Sequence, residues 1–314
     1  MVSPEISVII CTYNRDKYLS RALECIRNQD ISPEKFEMVI VNNSSTDSTE
    51  NICRDFISSN HGIKISYFIE NQQGLSFARN RGINESRGEI LVFLDDDAFA
   101  DSNYLSSISR FFSTKPELLA AGGKIIPEYE TGEPAWMNPF LASLVSAMDY
   151  GPQPRRFKSG RYPIGANMII RKSAFQKYGN FNTGLGRKGT ELLGGEEKDF
   201  FNRMISDKKE IYYIPDAIVY HFIPDSRTQT EFIKRLGTGV GSSEMHRLMN
   251  LGTIPVLIGL IKEDLKWIAS VILALYYFLS LKFEKGIIIL RFRAHVTKGM
   301  LSRIKNGIKP QDKP

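Results

Sequence analysis

The sequence predicts an α/β fold, a mostly parallel sheet flanked by helices, followed by a helical extension. Three observations predict it. Short apolar runs alternate with stretches of helical periodicity through the first hundred residues, the βαβα pattern of a parallel sheet. The runs are apolar at successive positions, as strands covered on both faces are. Most of them give way to polar residues at the same, carboxyl, end, where open α/β sheets collect their ligands.

Ile6-Ser7-Val8-Ile9-Ile10 reads as the first strand and runs into Cys11-Thr12-Tyr13-Asn14-Arg15. The helix after it carries Leu19, Ala22, Leu23 and Ile26, spaced to line up on one face. Phe36 to Val41 is the second strand. It ends in Asn42-Asn43-Ser44-Ser45-Thr46-Asp47, a turn and helix N-cap, before a helix with Ile52, Phe56 and Ile57. A third strand over residues 63–69 turns at Asn71-Gln72-Gln73-Gly74 into a helix from about Leu75 to Glu85. The fourth strand is Ile90 to Leu94, too short an apolar run for an ordinary helix, and it stops at three consecutive carboxylates.

Three neighbouring acids repel one another and are not buried unpaired, so Asp95-Asp96-Asp97 demands a positive partner. At the carboxyl end of a parallel strand the simplest partner is a divalent cation, and hard oxygen ligands favour Mg2+ or Mn2+. The plainer reading is an acidic loop capping the helix expected near Ser102. Thr12, Tyr13, Asn14 and Arg15 after the first strand, with Asn42 and Asn43 after the second, add hydroxyl, amide and guanidinium groups to the same edge. This crevice has no glycine cradle, because neither Gly-x-Gly-x-x-Gly nor Gly-x-x-x-x-Gly-Lys-Ser/Thr follows the first strand. Phosphate charge there must be met by metal and arginine.

Composition excludes global disorder: 42% of the residues are hydrophobic and 24% charged, ordinary values for a chain that builds a large core. The net charge of +6 is unevenly placed. From Lys282 to Pro314 there are nine Lys and Arg against Glu284 and Asp312, so the preceding chain is close to neutral. Cys11, Cys25 and Cys53 have no metal-ligand spacing and are odd in number, which points to reduced cysteines of a cytosolic protein. Met1-Val2-Ser3-Pro4-Glu5-Ile6 lacks the basic start and apolar run of a signal peptide.

Val8-Ile9-Ile10-Cys11-Thr12-Tyr13-Asn14-Arg15, Val41-Asn42-Asn43-Ser44-Ser45-Thr46-Asp47, Ala78-Arg79-Asn80-Arg81-Gly82-Ile83 and Phe93-Leu94-Asp95-Asp96-Asp97 together resemble the successive motifs of family 2 glycosyltransferases. The resemblance covers about residues 5–235. It implies the Rossmann-like GT-A fold and transfer of a sugar from a nucleotide donor with inversion at the anomeric carbon. By it, Thr12, Tyr13, Asn14 and Arg15 would hold the nucleotide, Asn43 or its neighbour Asn42 the base, and Arg79 the diphosphate. Asp95 and Asp97 would form the Asp-x-Asp pair, with Asp97 the more direct metal ligand and Asp95 and Asp96 also facing the donor. The family usually has an aspartate in the Asn42-Asn43 pair. An Asn carbonyl accepts the same hydrogen bond without charge.

The second half supplies the remaining chemistry. Tyr162 to Ile170 reads as a strand, with Gly165 and Ala166 letting a sugar approach the backbone, and Arg171-Lys172-Ser173 starts a helix. Gly194-Gly195-Glu196-Glu197-Lys198-Asp199 opens another helix, whose buried face is Phe200, Phe201, Met204 and Ile205. Acids in a first turn complement the helix dipole, which accounts for them without function. The resemblance instead makes this the family's Glu-Asp motif, whose second acid takes the proton from the acceptor hydroxyl. That position is Glu197, with Glu196 or Asp199 as alternatives. His221 ends a short strand, Ala217 to Tyr220. It is either structural or, by the resemblance, a residue reaching the metal or diphosphate.

The boundaries read from the sequence are a glycosyltransferase domain over 1–235, halved near residue 100, and a basic helical extension over 236–314. The Gln-x-x-Arg-Trp motif of processive members is absent near Arg227–Arg235, so one sugar is expected per encounter. Trp267 to Leu281 is uninterrupted and apolar, but 15 residues fall short of the roughly 20 that span a bilayer. The tail is expected to lie on the inner face of the cell membrane, or else to pack as a hairpin on the domain or a dimer partner. Trp136, Met137 and Phe140 are expected near the acceptor. The partners expected are a nucleotide-sugar donor, a glycan or lipid-linked acceptor and a membrane surface, with no nucleic acid and no oligomeric state implied. The competing class is a non-catalytic, membrane-associated module that binds nucleotide or nucleic acid.

Overall fold

A computed structural model describes residues 3–59, 62–158, 160–189 and 194–306. It divides into two compact units. The first comprises Met1–Glu128, Ser146–Thr183 and Glu197–Phe222, and the second Tyr129–Val145, Gly184–Glu196 and Ile223–Pro314.

The first unit opens with β1 (Ile6–Thr12), α1 (Asp16–Arg27), β2 (Phe36–Asn42), α2 (Thr49–Ser58), β3 (Lys64–Ile69), α3 (Leu75–Glu85) and β4 (Ile90–Asp95). The four strands lie in the order β3-β2-β1-β4 and are all parallel. α1 buries Leu19, Ala22, Leu23 and Ile26, the stripe its spacing predicts. α2 is rotated from expectation: it buries Thr49, Cys53 and Phe56, leaving Ile52 and Ile57 half-covered.

Beyond β4 the sheet turns antiparallel. The chain adds β5 (Ala98–Ala100), α4 (Tyr104–Ser113), β6 (Ala120–Tyr129), β7 (Arg155–Arg156), β8 (Met168–Arg171), α5 (Lys172–Tyr178), α6 (Glu196–Ser206) and β9 (Ile211–Ile223). The order continues β4-β8-β6-β9-β5, with β7 on β9. The strand expected over Tyr162–Ile170 shrinks to β8, because Gly165–Asn167 forms a 3-10 turn. Buried Asn167 explains the turn: its Nδ2 donates to the Lys124 and Ala217 carbonyls at 3.0 and 2.9 Å, and its Oδ1 accepts from Tyr104 Oη at 2.8 Å. β9 runs longer than Ala217–Tyr220, extending through Pro215 and Asp216 at one end and past His221 at the other. In α6, Phe200, Phe201 and Met204 are fully buried, but Ile205 is exposed.

The second unit is mainly helical: α7 (Asp225–Thr228), α8 (Thr230–Leu251), α9 (Thr253–Leu279) and α10 (Phe283–Asn306). Ile233 of α8, Tyr277 of α9 and Ile288 and Ile289 of α10 form one apolar cluster with Leu141. Met245, Val296 and Met300 form a second. A Cβ at Gly241 would collide with the Val296 carbonyl, so that glycine permits the close approach of α8 and α10. No described helix is long and apolar enough to cross a membrane.

Candidate active site

Strand register builds the acidic edge. β1 and β4 pair with Cys11 opposite Asp95, which puts Asp95 at the carboxyl rim and Asp96 and Asp97 just past it. The chain then reverses into β5, where Ala98 pairs with His221 of β9. Phe222 N–H donates to the Asp97 carbonyl at 2.9 Å and fixes that register. His221 Nε2 arrives 3.1 Å from Asp97 Oδ1, both side chains almost wholly buried. One ligand atom from each of Asp95, Asp97 and His221 lies within 4.8 Å of the others. Two carboxylates and an imidazole are donors of the kind Mg2+ and Mn2+ accept, so these residues fit a divalent ion.

Two arginines also meet the acids. Arg15 places Nη2 3.5 Å from Asp97 and Nε 3.8 Å from Asp96. Burial works against the Arg15 charge, but Asp96 and Asp97 hold its pKa above the ordinary value. Burial, with the Asp97 charge beside it, pushes Asp96 up to about 7 despite Arg15. Arg79, on the buried face of α3, sets Nη2 3.7 Å from Asp95 and Nη1 3.2 Å from Glu197 Oε1. One guanidinium therefore spans the acidic edge and the first turn of α6. Cys11, on β1 beside this group, has its thiol pushed up to about 12 by burial.

The loops after β1 and β2 are laced together. Asn14, held at φ +52°, donates its N–H to Ser45 Oγ at 3.0 Å and accepts from Thr46 N–H at 2.7 Å. Arg15 N–H donates to Thr49 Oγ1 and Asp16 N–H to Asp47 Oδ2, both at 3.2 Å. These bonds fix the start of α1 and with it Arg15. Thr12 is buried opposite Asn42, and Tyr13 is half-buried.

The two asparagines expected at the base are committed to the loops. Asn43 Nδ2 donates to the Glu70 and Gln72 carbonyls, and its Oδ1 accepts from Gly74 N–H at 2.8 Å. That brace sets the start of α3 and so the position of Arg79. Asn42 Nδ2 donates to Tyr67 Oη at 2.8 Å while its Oδ1 accepts from Ser45 N–H at 2.9 Å.

The three acids of the α6 motif separate. Glu197 faces Arg79. Glu196 is buried. Asp199 pairs with Arg203 along its own helix at 3.2 Å. Trp136, of the second unit, donates from Nε1 to the Thr228 carbonyl at 3.1 Å, and Phe140 is exposed.

Sequence reasoning assigned Gly165 to sugar approach; in the structure a Cβ there would strike the Arg79 guanidinium and the Glu197 carboxylate. Because those atoms end flexible side chains, Gly165→Ala is expected to fold with a near-normal Tm but to displace both groups. A shift of about 1 Å at a reacting centre costs on the order of a hundredfold, which a melting curve and a turnover assay on one sample would check.

Fold and site together define a GT-A glycosyltransferase. The chain belongs to glycosyl transferase family 2, whose model matches residues 7–179, more than half of its length. It is similar to the glucosyl-dolichyl phosphate glucuronosyltransferase of Haloferax volcanii, with 23% identity over 232 residues, covering 73% of this chain and 72% of that protein. Several other curated relatives are matched over less than half of their own length. Among solved structures, the mannosyltransferase PcManGT from Pyrobaculum calidifontis, in complex with GDP-Man and Mn2+, superposes with a TM-score of 0.66 at 15% identity. That likeness covers 98% of this chain and 89% of the other. S. aureus TarS 1-349 with UDP-GlcNAc gives 0.53 at 18% identity over 75% and 66% of the two chains. At such identities the structural likenesses establish the fold alone. Family membership decides for an enzyme over a non-catalytic nucleotide- or nucleic-acid-binding module.

Proposed function

We propose that the chain is an inverting, metal-dependent glycosyltransferase. It moves a sugar from a nucleoside-diphosphate donor, a UDP-sugar first, to a hydroxyl of a lipid-linked saccharide. The observation that carries this reading is Arg79 touching both Asp95 and Glu197, with Asp97 and His221 completing a donor set around Asp95.

In this reading Asp95, Asp97 and His221 hold Mg2+ or Mn2+, which when bound offsets charge on the donor diphosphate and the leaving nucleotide. Arg15 and Arg79 face the same phosphates with fixed guanidinium groups. The laced loops after β1 and β2, with Asn14 exposed at their tip, seat the nucleoside. Glu197 accepts the proton of the acceptor hydroxyl as that oxygen bonds to the anomeric carbon. The bond from that carbon to the diphosphate breaks on the opposite face, and the nucleoside diphosphate leaves with the bonding pair. Glu197 suits the task because Arg79 fixes one carboxylate oxygen, whereas Asp199 is held by Arg203 on its own helix.

The lipid-linked acceptor is supported by the relative named for glucosyl-dolichyl phosphate. The metal is supported by the Mn2+ of the mannosyltransferase neighbour, and uridine by the UDP-GlcNAc of the other. The test is hydrolysis and transfer across a panel of UDP-, GDP- and dTDP-sugars with Mn2+, then with EDTA. Turnover of a UDP-sugar that EDTA abolishes is expected. Turnover of a GDP-sugar alone would move the base assignment, and undiminished turnover in EDTA would remove the metal.

A further inference from the structure

Helix α9 buries only one side. Its inner face carries Glu263, which accepts from Arg293 Nη1 of α10 at 3.1 and 3.2 Å, and Trp267, whose Nε1 donates to Thr297 Oγ1 at 2.8 Å. Its outer face is apolar along its length but for exposed Asp264 at one edge: Ile254, Ile261, Leu265, Ile268, Ile272 and Leu279 are each 59–87% exposed. Leu257, Val271 and Tyr276 are exposed beside them and widen the stripe beyond a seam of alternating three- and four-residue steps. An apolar face of this length marks an interaction surface.

We infer that the outer face of α9 docks in the plane of an anionic lipid bilayer. Three observations favour lipid over a second copy of the chain. At 27 residues the helix is about 40 Å long and apolar on one side only, the form of a helix that lies along an interface. Thr253–Asn306 carries nine Lys and Arg against three acids, so a second copy would bring like charge to like charge while anionic headgroups complement it. Exposed Lys262 and Lys266 lie along one side of the apolar face, Lys266 with its Nζ 3.6 Å from Glu263, and Lys298 and Lys305 of α10 rim a groove of about 520 Å³ that Trp267 and Leu301 line. Long lysine stems on an apolar wall reach headgroup phosphates while their methylenes stay covered.

This placement narrows the expectation from the sequence, which put the tail as a whole on the membrane. In the structure Ile288, Ile289, Val296 and Met300 of α10 are buried among the helices, and α9 carries the outward face.

The test is cosedimentation of the full chain with vesicles of phosphatidylcholine containing phosphatidylglycerol, and with phosphatidylcholine alone. The intact chain is expected to bind the anionic vesicles more tightly, and added salt to weaken the binding without abolishing it. Ile261→Glu combined with Ile268→Glu changes two exposed side chains. It is expected to keep the melting temperature and to weaken vesicle binding at least about tenfold, given the transfer cost of burying charge in place of a branched aliphatic side chain. Unchanged binding by the folded double variant would overturn the inference, as would an intact chain that ignores anionic vesicles. So would sedimentation velocity finding a dimer that the same variant splits, since the face would then belong to a second copy.

Discussion

Replacing Glu197 by glutamine is expected to slow sugar transfer at least about a hundredfold, the usual worth of a positioned general base, while donor binding stays near normal. Gln keeps the length of the side chain and an oxygen for the Arg79 Nη1 donor, so the packing at Gly165 need not change. What disappears is the capacity to take a proton. The split between an unchanged donor affinity and a fallen kcat separates this role from a structural one, because a collapsed site would lose both. Asp199→Asn is the control. Asp199 lies in an ion pair with Arg203, so its loss should leave transfer within a few-fold of normal. A fully active Glu197→Gln beside a dead Asp199→Asn would move the base two residues along the helix.

The second large effect is expected at Asp97. Asp97→Asn removes one charge from three adjacent acids and relieves their repulsion, so the melting temperature should hold or rise. His221 and Arg15 stay close by, and the amide retains an oxygen for either. Affinity for donor in the presence of Mn2+ should fall at least about a hundredfold, since loss of even an outer-shell partner costs ten- to a hundredfold in metal affinity. Calorimetric titration of the variant checks this without reference to turnover. Normal turnover by a folded Asp97→Asn protein would remove the residue from the site.

Local signals read well in the sequence. The strands β1 to β4 are short apolar runs, most with polar carboxyl ends, and Leu19, Ala22, Leu23 and Ile26 follow the helical period, so the elements and the direction of the parallel half were legible. The spatial order β3-β2-β1-β4 was not. The acids at the end of β4 were conspicuous because three like charges have no comfortable structural explanation. Contacts set by distant pairing were not legible. β5 is three residues long, too brief for a periodicity, yet its pairing with β9 delivers His221 to Asp97. Asn167 holds the turn that delays β8 to Met168 because the Lys124 and Ala217 carbonyls reach it from 43 and 50 residues away. Arg15 and Arg79 were both attributed to the donor, and nothing local indicates that each also lies against the acids. Asn42 and Asn43 were singled out by motif, but their amides brace loops through bonds to Tyr67 and to residues 70–74. Glycine at 165 was read as room for substrate, when the space beside it holds a guanidinium and a carboxylate.

The central claim is that Asp95, Asp97 and His221 make donor binding depend on a divalent ion. The most direct measurement is calorimetric titration of UDP into the full chain with Mn2+ and again with EDTA, repeated with Asp97→Asn. The account predicts saturable binding with Mn2+, its loss in EDTA, and little binding to the variant in either condition. Equal affinity for UDP in Mn2+ and EDTA, in both proteins, would contradict it.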